Sequence, residues 1–121
     1  MSSVSTINLP ILKYQWQKWD CFTLAKWLRT HLLLRPFPDI PVYEKYTEST
    51  LPCNYVKEML NEYAIAVSDP QDGDLVSLRI GEVSALGTIW HGEIIFMSFS
   101  RGAVSLPIFQ ISGRIEGVWR L

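Results

Sequence analysis

Cysteine and histidine side chains are the scarcest reactive groups of this 121-residue chain. It contains two cysteines, Cys21 and Cys53, and two histidines, His31 and His91. A zinc site with four cysteine or histidine ligands would require all of them, and no CxxC or HxxxH pair provides the usual spacing. The sequence therefore predicts no metal site, and we expect no cofactor.

Cys21 has the clearest potential for chemistry, because it follows Asp20 at the predicted start of a helix. Unpaired backbone N–H groups and the positive end of the helix dipole lower the pKa of a thiol at such a position and favour the nucleophilic thiolate. The alternative is that Cys21 is a small buried hydrophobic residue, as most free cysteines are. Position alone leaves both interpretations open.

Residue spacing indicates helices followed by strands. The spacing predicts helices over residues 20–34 and 54–63, separated by a loop rich in proline. Strand-like patterning after residue 64 predicts the strands Leu75–Ile80, Leu86–Trp90, Glu93–Phe99, Ala103–Ile108 and Ile115–Trp119, with His91-Gly92 as a hairpin link. This order predicts an α+β fold, in which N-terminal helices pack on a C-terminal antiparallel sheet or half-barrel.

Length and composition are those of one globular domain. We expect a flexible N-terminus over residues 1–8 and a single domain over residues 9–121. Hydrophobic residues make up 48% of the chain, which is enough for a packed core. The formal net charge of −1 provides no field that attracts a polyanion, so nucleic acid is not an expected partner.

The first residues do not resemble a secretory signal, since Met1 to Asn8 has no positive charge and Pro10 interrupts the apolar patch that follows. No stretch approaches the roughly 18 apolar residues that cross a bilayer. We therefore expect no membrane insertion, and free thiols in a reducing compartment.

Four segments are informative when taken together: Asp20-Cys21-Phe22-Thr23-Leu24, Pro38-Asp39, Gly73-Asp74-Leu75-Val76 and Gly117-Val118-Trp119-Arg120. In this order the chain resembles the NlpC-type papain-like cysteine peptidases, and more narrowly the compact versions carried by tailed phages and gene-transfer particles. The likeness extends from about residue 14 to the C-terminus. It implies a papain-like fold in which a cysteine on the first helix attacks an amide of the peptidoglycan stem peptide. A histidine on the second core strand is then the base, and a polar residue one strand later orients it.

The resemblance assigns the nucleophile to Cys21 and a structural turn to Gly73 and Asp74. It places Ala85 where the family has the histidine of a His-x-Gly segment. The third polar residue should fall within residues 95–97, which are apolar here. Both partners of the thiol are therefore expected to be missing.

Neither histidine of the chain is well placed to replace the base. His31 lies ten residues beyond Cys21 on the predicted helix, about 15 Å away at roughly 1.5 Å per residue. His91 lies about five or six strand residues beyond Ala85, so it is an alternative base only in a different strand register.

Trp16 and Trp19 are the candidate binding residues. They precede the first helix, near the place where the family has its substrate groove, and aromatic side chains are common at interfaces. Core packing against the sheet is the alternative.

We expect a structural component of a phage tail tip or hub with a degenerate, non-catalytic peptidase fold. Its expected partners are other tail proteins, with peptidoglycan as a further candidate, and its expected location is the virion, after synthesis in the host cytoplasm. One alternative is an active peptidoglycan endopeptidase or amidase, used during DNA entry, with Cys21 as the nucleophile. A second alternative is a bacterial adaptor or immunity protein with an unrelated α+β fold.

Overall fold

Two helices precede an antiparallel sheet in the parts of the chain that the structure, a computed structural model, describes: residues 20–37, 54–98 and 101–121. The helices are α1 (Cys21–His31), α2 (Tyr55–Tyr63) and the single turn α3 (Ile108–Ile111). The strands are β1 (Ile65–Ala66), β2 (Leu75–Ile80), β3 (Val83–Trp90), β4 (Glu93–Ser98), β5 (Gly102–Pro107) and β6 (Ile115–Arg120). A 3-10 turn over Ser112–Arg114 leads into β6. The prediction of an α+β fold with an antiparallel sheet is confirmed.

The strands form one six-stranded sheet in the order β1-β6-β2-β3-β4-β5, and every neighbouring pair is antiparallel. Two-residue links join β2 to β3 and β3 to β4. In the second link, His91 and Gly92 have φ angles of 49° and 77°. Positive φ at both central residues is the requirement of a type I′ turn, whose twist matches that of the flanking strands. The predicted hairpin at His91-Gly92 is therefore confirmed.

The two longer helices cover one face of the sheet, and the hydrophobic residues of the strands alternate between the two faces. One buried cluster joins α1 and α2 to Leu75, Leu86 and Trp119. A second joins Leu24 and Leu28 of α1 to Ile95 and Met97 of β4. The opposite face carries a third cluster, made of Val76, Leu78, Ile89, Ile94 and Phe96, against which α3 packs.

Sequence and structure differ mainly at short elements and at element ends. The first helix ends at His31, three residues before the predicted end, and Leu34 then adopts a positive φ of 53°. Two elements were not expected, β1 with two residues and α3 with four, because such short segments carry no recognisable period. None of the described helices combines the length and the apolar character needed to cross a membrane. The expected flexible segment over residues 1–8 lies outside the described residues.

Gly87 marks the tightest packing between β3 and its neighbours. A Cβ atom built at this position would lie 2.6 Å from Cγ2 of Ile94 and 2.9 Å from Cγ2 of Val76. Both neighbours are buried branched side chains, which have little freedom to move away. A side chain at position 87 therefore overpacks the third cluster.

We expect Gly87→Ala to lower the free energy of unfolding by about 1–3 kcal/mol, the usual cost of an inserted methyl group in a packed core. Gly113→Ala is the matched control, because no atom lies within 4 Å of a Cβ built there. Urea unfolding curves of both variants measure the effect. Equal stabilities of the two variants would contradict the packing described for β3.

Candidate functional site

Asp20 caps the start of α1 with its carboxylate. Its Oδ1 atom accepts hydrogen bonds from the backbone N–H groups of Phe22 and Thr23, both at 3.0 Å, and its own N–H donates to Oγ1 of Thr23 at 2.8 Å. This reciprocal arrangement is a capping box, which satisfies the first donors of the helix. The carboxylate also places a negative charge at the position where the helix dipole would otherwise favour an anion.

Cys21, the first residue of α1, lies against the middle of β3. The backbone of Leu86 lies close enough to the thiol to act on its pKa, and the side chain of Cys21 packs against both helix-facing clusters. Burial, with repulsion from the charge of Asp20 as the next cause, raises the pKa of Cys21 to about 12. Part of the residue is exposed, but this exposure does not offset the burial of the thiol. The expectation that the helix start lowers this pKa is therefore wrong, because desolvation outweighs the dipole.

Ala85 does not face Cys21. Gly87, two residues farther along β3, points toward Val76 and Ile94 of the third cluster, and residues two apart in a strand share a face. Ala85 therefore points away from α1, whereas Leu86 points toward it and is 1% exposed. The placement of the missing base at Ala85 therefore stays a prediction, and Leu86 is the neighbouring β3 residue that belongs to the cluster against which Cys21 packs.

His91 is a turn residue far from the thiol. It lies five residues beyond Leu86, which corresponds to about 16 Å at roughly 3.3 Å per residue. Its ring stacks on Trp90 with 4.6 Å between centroids, and its Nε2 atom lies 3.3 Å from Oδ2 of Asp72. The backbone N–H of His91 also donates to Oδ1 of Asp72 at 2.7 Å. This pair holds the β3–β4 turn against the turn before β2, and the distance to Cys21 is too great for proton transfer.

The remaining candidate positions divide between core and turn. Ile95 and Met97 are buried against α1, so the third polar position of the family is occupied by core residues. Gly73 has a φ of +92° and packs under Leu33, in the turn that precedes β2. In the same turn, both carboxylate oxygens of Asp74 accept hydrogen bonds from Arg120, each at 2.9 Å.

Two further expectations concern the binding residues and the metal site. Trp16 and Trp19 lie outside the described residues. Within residues 20–37, 54–98 and 101–121, no group of three or more histidine, cysteine or acidic side chains is arranged to hold a metal ion.

A polar network on the helix-facing side of the sheet was not foreseen from the sequence. Glu116 accepts hydrogen bonds from Ser77 at 2.7 Å, Ser84 at 2.8 Å and Arg79 at 2.7 Å. Arg79 also donates to the side chain of Asn54 at 3.0 Å, just before α2. Hydrogen bonding from Ser77, Ser84 and Arg79 lowers the pKa of Glu116 from 4.5 to about 2, although burial opposes the shift. A carboxylate so well satisfied is a poor base, so we interpret the network as a structural one.

A break in strand pairing explains how Glu116 reaches this side of the sheet. The register between β2 and β6 shifts between Ser77 and Leu78: Ser77 pairs with Gly117, and Leu78 pairs with Ile115. Glu116 is therefore an additional residue in β6, and a bulge of this kind redirects a side chain. The only sequence signal for it is a charged residue inside an otherwise apolar strand.

Comparison with known proteins does not assign the chain to a family. No protein-family model matches it, and no curated protein matches it. The likeness to NlpC-type peptidases therefore rests on the four sequence segments that begin at Asp20, Pro38, Gly73 and Gly117.

We expect Cys21 to be alkylated slowly, because a thiol with a pKa of about 12 is almost entirely protonated at pH 8. In a Cys53→Ser background, iodoacetamide should react with the folded protein at least about 30-fold more slowly than with the urea-unfolded chain. The rate should rise about tenfold per pH unit up to pH 10. A plateau in the rate near neutral pH would contradict the raised pKa.

The Glu116 network should make stability depend on acid. Because the pKa of Glu116 is lower in the folded chain than its ordinary value of 4.5, its stabilisation is complete above about pH 4.5 and is lost toward pH 2. Glu116→Gln should lower the free energy of unfolding by about 1–3 kcal/mol at pH 7 and have little effect near pH 2. Urea unfolding between pH 2 and pH 7 measures this, with exposed Glu62→Gln as the control. Parallel pH profiles of wild type and Glu116→Gln would refute the role of the network.

Proposed function

We propose that this protein is a non-catalytic relative of the NlpC-type peptidases and serves as a structural component of a phage tail tip or hub. The observation that carries the non-catalytic part is the environment of Cys21, whose thiol is buried against Leu86 with a pKa raised to about 12. A cysteine nucleophile acts as the thiolate and needs a base within hydrogen-bond reach. Neither condition is met at this thiol by the described residues.

The number of histidines strengthens this argument. The chain has two, His31 and His91, and each lies about 15 Å or more from Cys21 by helix or strand length. His31 is exposed near the end of α1 and stacks on Trp27, with 4.6 Å between ring centroids. His91 is engaged by Asp72. The imidazole that activates the thiol in papain-like enzymes therefore has no equivalent in this chain.

The assignment to the NlpC type is supported by where the quoted segments lie. The Asp20-Cys21 segment begins the first helix, and that helix packs with its first residue on β3, the second strand after the Gly73-Asp74 turn. This is the arrangement that the resemblance implies for nucleophile and base. A fold that keeps the arrangement and carries no histidine in β3 is what we expect of a peptidase relative retained for assembly.

The assignment to a phage tail follows from the narrower resemblance, to the compact versions that tails and gene-transfer particles carry. On this proposal the protein is made in the host cytoplasm and leaves the cell inside the particle. Its partners are the neighbouring proteins of the tail tip or hub, and peptidoglycan is a possible surface for contact at the start of infection.

The particle itself provides the first test. Virions purified from a host carrying the phage or prophage that encodes this chain should contain the protein in a fixed ratio to the tail-hub protein, measured by quantitative mass spectrometry. Particles carrying Cys21→Ala should assemble and infect as wild-type particles do, and deletion of the reading frame should remove functional tails. Absence from purified particles would refute the virion role and favour the adaptor or immunity alternative.

Peptidoglycan digestion provides the second test. Incubation of the purified protein with peptidoglycan should release no new amino groups, and Cys21→Ala should give the same result. An active amidase, treated in parallel, is the positive control for the substrate. Release of amino groups that Cys21→Ala abolishes would show that the chain is an active peptidase.

A further inference from the structure

Arg29 is a buried cation near the C-terminal end of α1. The residue is only 9% exposed, although arginine is normally found at the surface unless it is paired. Its Nε atom donates a hydrogen bond to the backbone oxygen of Pro36 at 2.8 Å, which fixes the plane of the guanidinium. The two Nη atoms make no hydrogen bond to the residues that the structure describes, and Arg29 forms no ion pair with them.

The nearby acidic group is already engaged. Asp74 is the carboxylate whose charge acts on Arg29, but both of its oxygens accept hydrogen bonds from Arg120. The backbone N–H of Gln71 provides a further donor to Asp74, at 2.8 Å. Asp74 therefore balances the charge of Arg120, and the charge of Arg29 remains without a counterion among the described residues.

A second arginine adds to the positive charge at this place. Arg35 is exposed, and its backbone N–H donates to the carbonyl of Arg29 at 3.2 Å. Burial and repulsion from Arg35 lower the pKa of Arg29, and the charge of Asp74 opposes this shift. Among the described residues, the buried side-chain polar atom without a partner is Oγ1 of Thr88, so the Nη atoms of Arg29 reach solvent and are open to an anion.

We propose that the C-terminal end of α1 is a carboxylate-binding site, in which the two Nη atoms of Arg29, which no described residue engages, hold the ligand and Arg35 adds long-range attraction. A guanidinium fork matches the two oxygens of a carboxylate in one plane. The fixed cation carries a single charge, which suits a monoanion better than a phosphate dianion. In a tail assembly the ligand is an acidic side chain or a chain terminus of a neighbouring protein, but the site is a property of the isolated chain.

Titration of the full chain with acetate tests the site. The Nε–Hε NMR signal of Arg29 should shift with a saturable dependence and a Kd of about 1–10 mM, at constant ionic strength set with sodium chloride. At 100 mM acetate the melting temperature should exceed that in sodium chloride by about 5 °C. N-acetylglycine, which carries the same carboxylate on a peptide unit, is titrated in parallel. Equal affinity for the two shows that a free carboxylate suffices, and tighter binding of N-acetylglycine assigns the site to a peptide terminus.

Two variants distinguish the effect of the paired guanidinium donors from the effect of positive charge alone. Arg29→Lys keeps the charge but not the two parallel donors, and it should weaken acetate binding at least tenfold, with a correspondingly smaller thermal shift. Arg35→Gln, the matched control, should weaken acetate binding only about twofold to threefold, because Arg35 acts at a distance. The thermal shift that acetate causes in Arg29→Lys also measures the general effect of acetate on stability, which is subtracted from the shift of the wild type.

Three outcomes would overturn the proposal. A linear shift equal to that caused by chloride would mean that the backbone carbonyls at the end of α1 satisfy Arg29. Tighter binding of inorganic phosphate than of acetate would exclude a carboxylate as the preferred ligand. Equal thermal shifts in wild type and Arg29→Lys would place the acetate effect elsewhere on the chain.

Discussion

The packing of Cys21 against β3 and β4 is the constraint on which the site depends. It fixes the start of α1 over the middle of β3, and Leu24 and Leu28 then extend the same packing onto β4. The thiol lies where the two helix-facing clusters meet, so both of them remove water from it. The packing that stabilises the helix on the sheet is therefore the same packing that raises the pKa of Cys21. Stability and thiol reactivity oppose each other at this one residue.

The alternation of side chains along β3 decides which groups can approach that thiol. The residues facing α1 are the even-numbered ones, and each of those near Cys21 has another role. Ser84 donates to Glu116, and Leu86 fills the core. Thr88 is buried, and its hydroxyl has no hydrogen-bond partner in the described part of the chain. None of these side chains accepts a proton at neutral pH, so this face of β3 provides no general base for the thiol.

Glu116 and Arg29 are two charged side chains of this fold that differ in how many partners they have. Glu116 has three side-chain donors and a lowered pKa, so it requires nothing from outside the chain. Arg29 has one backbone acceptor, a repelling neighbour in Arg35 and an engaged neighbour in Asp74. A satisfied charge stabilises the fold, whereas an unsatisfied one lowers the cost of binding an anion. This contrast is why we assign a structural role to the first and a ligand to the second.

Periodicity was sufficient to predict α1, α2 and the strands β2 to β6, because each is long enough to show a repeat. The site was harder to predict, since it depends on which face a residue occupies, and that face changes with every step along a strand. Counting from a motif places the base position at Ala85, whose side chain points away from α1, whereas the next residue, Leu86, points toward it. The Glu116 network was hidden for a different reason: its partners lie 32 to 39 residues away and meet only through a bulge. Arg29 appeared to be an ordinary polar residue between apolar helix positions, because the sequence shows neither its burial nor the prior engagement of Asp74. Residue types and spacing thus indicate which groups could react, and the strand pairing shows which face of the sheet each of them occupies.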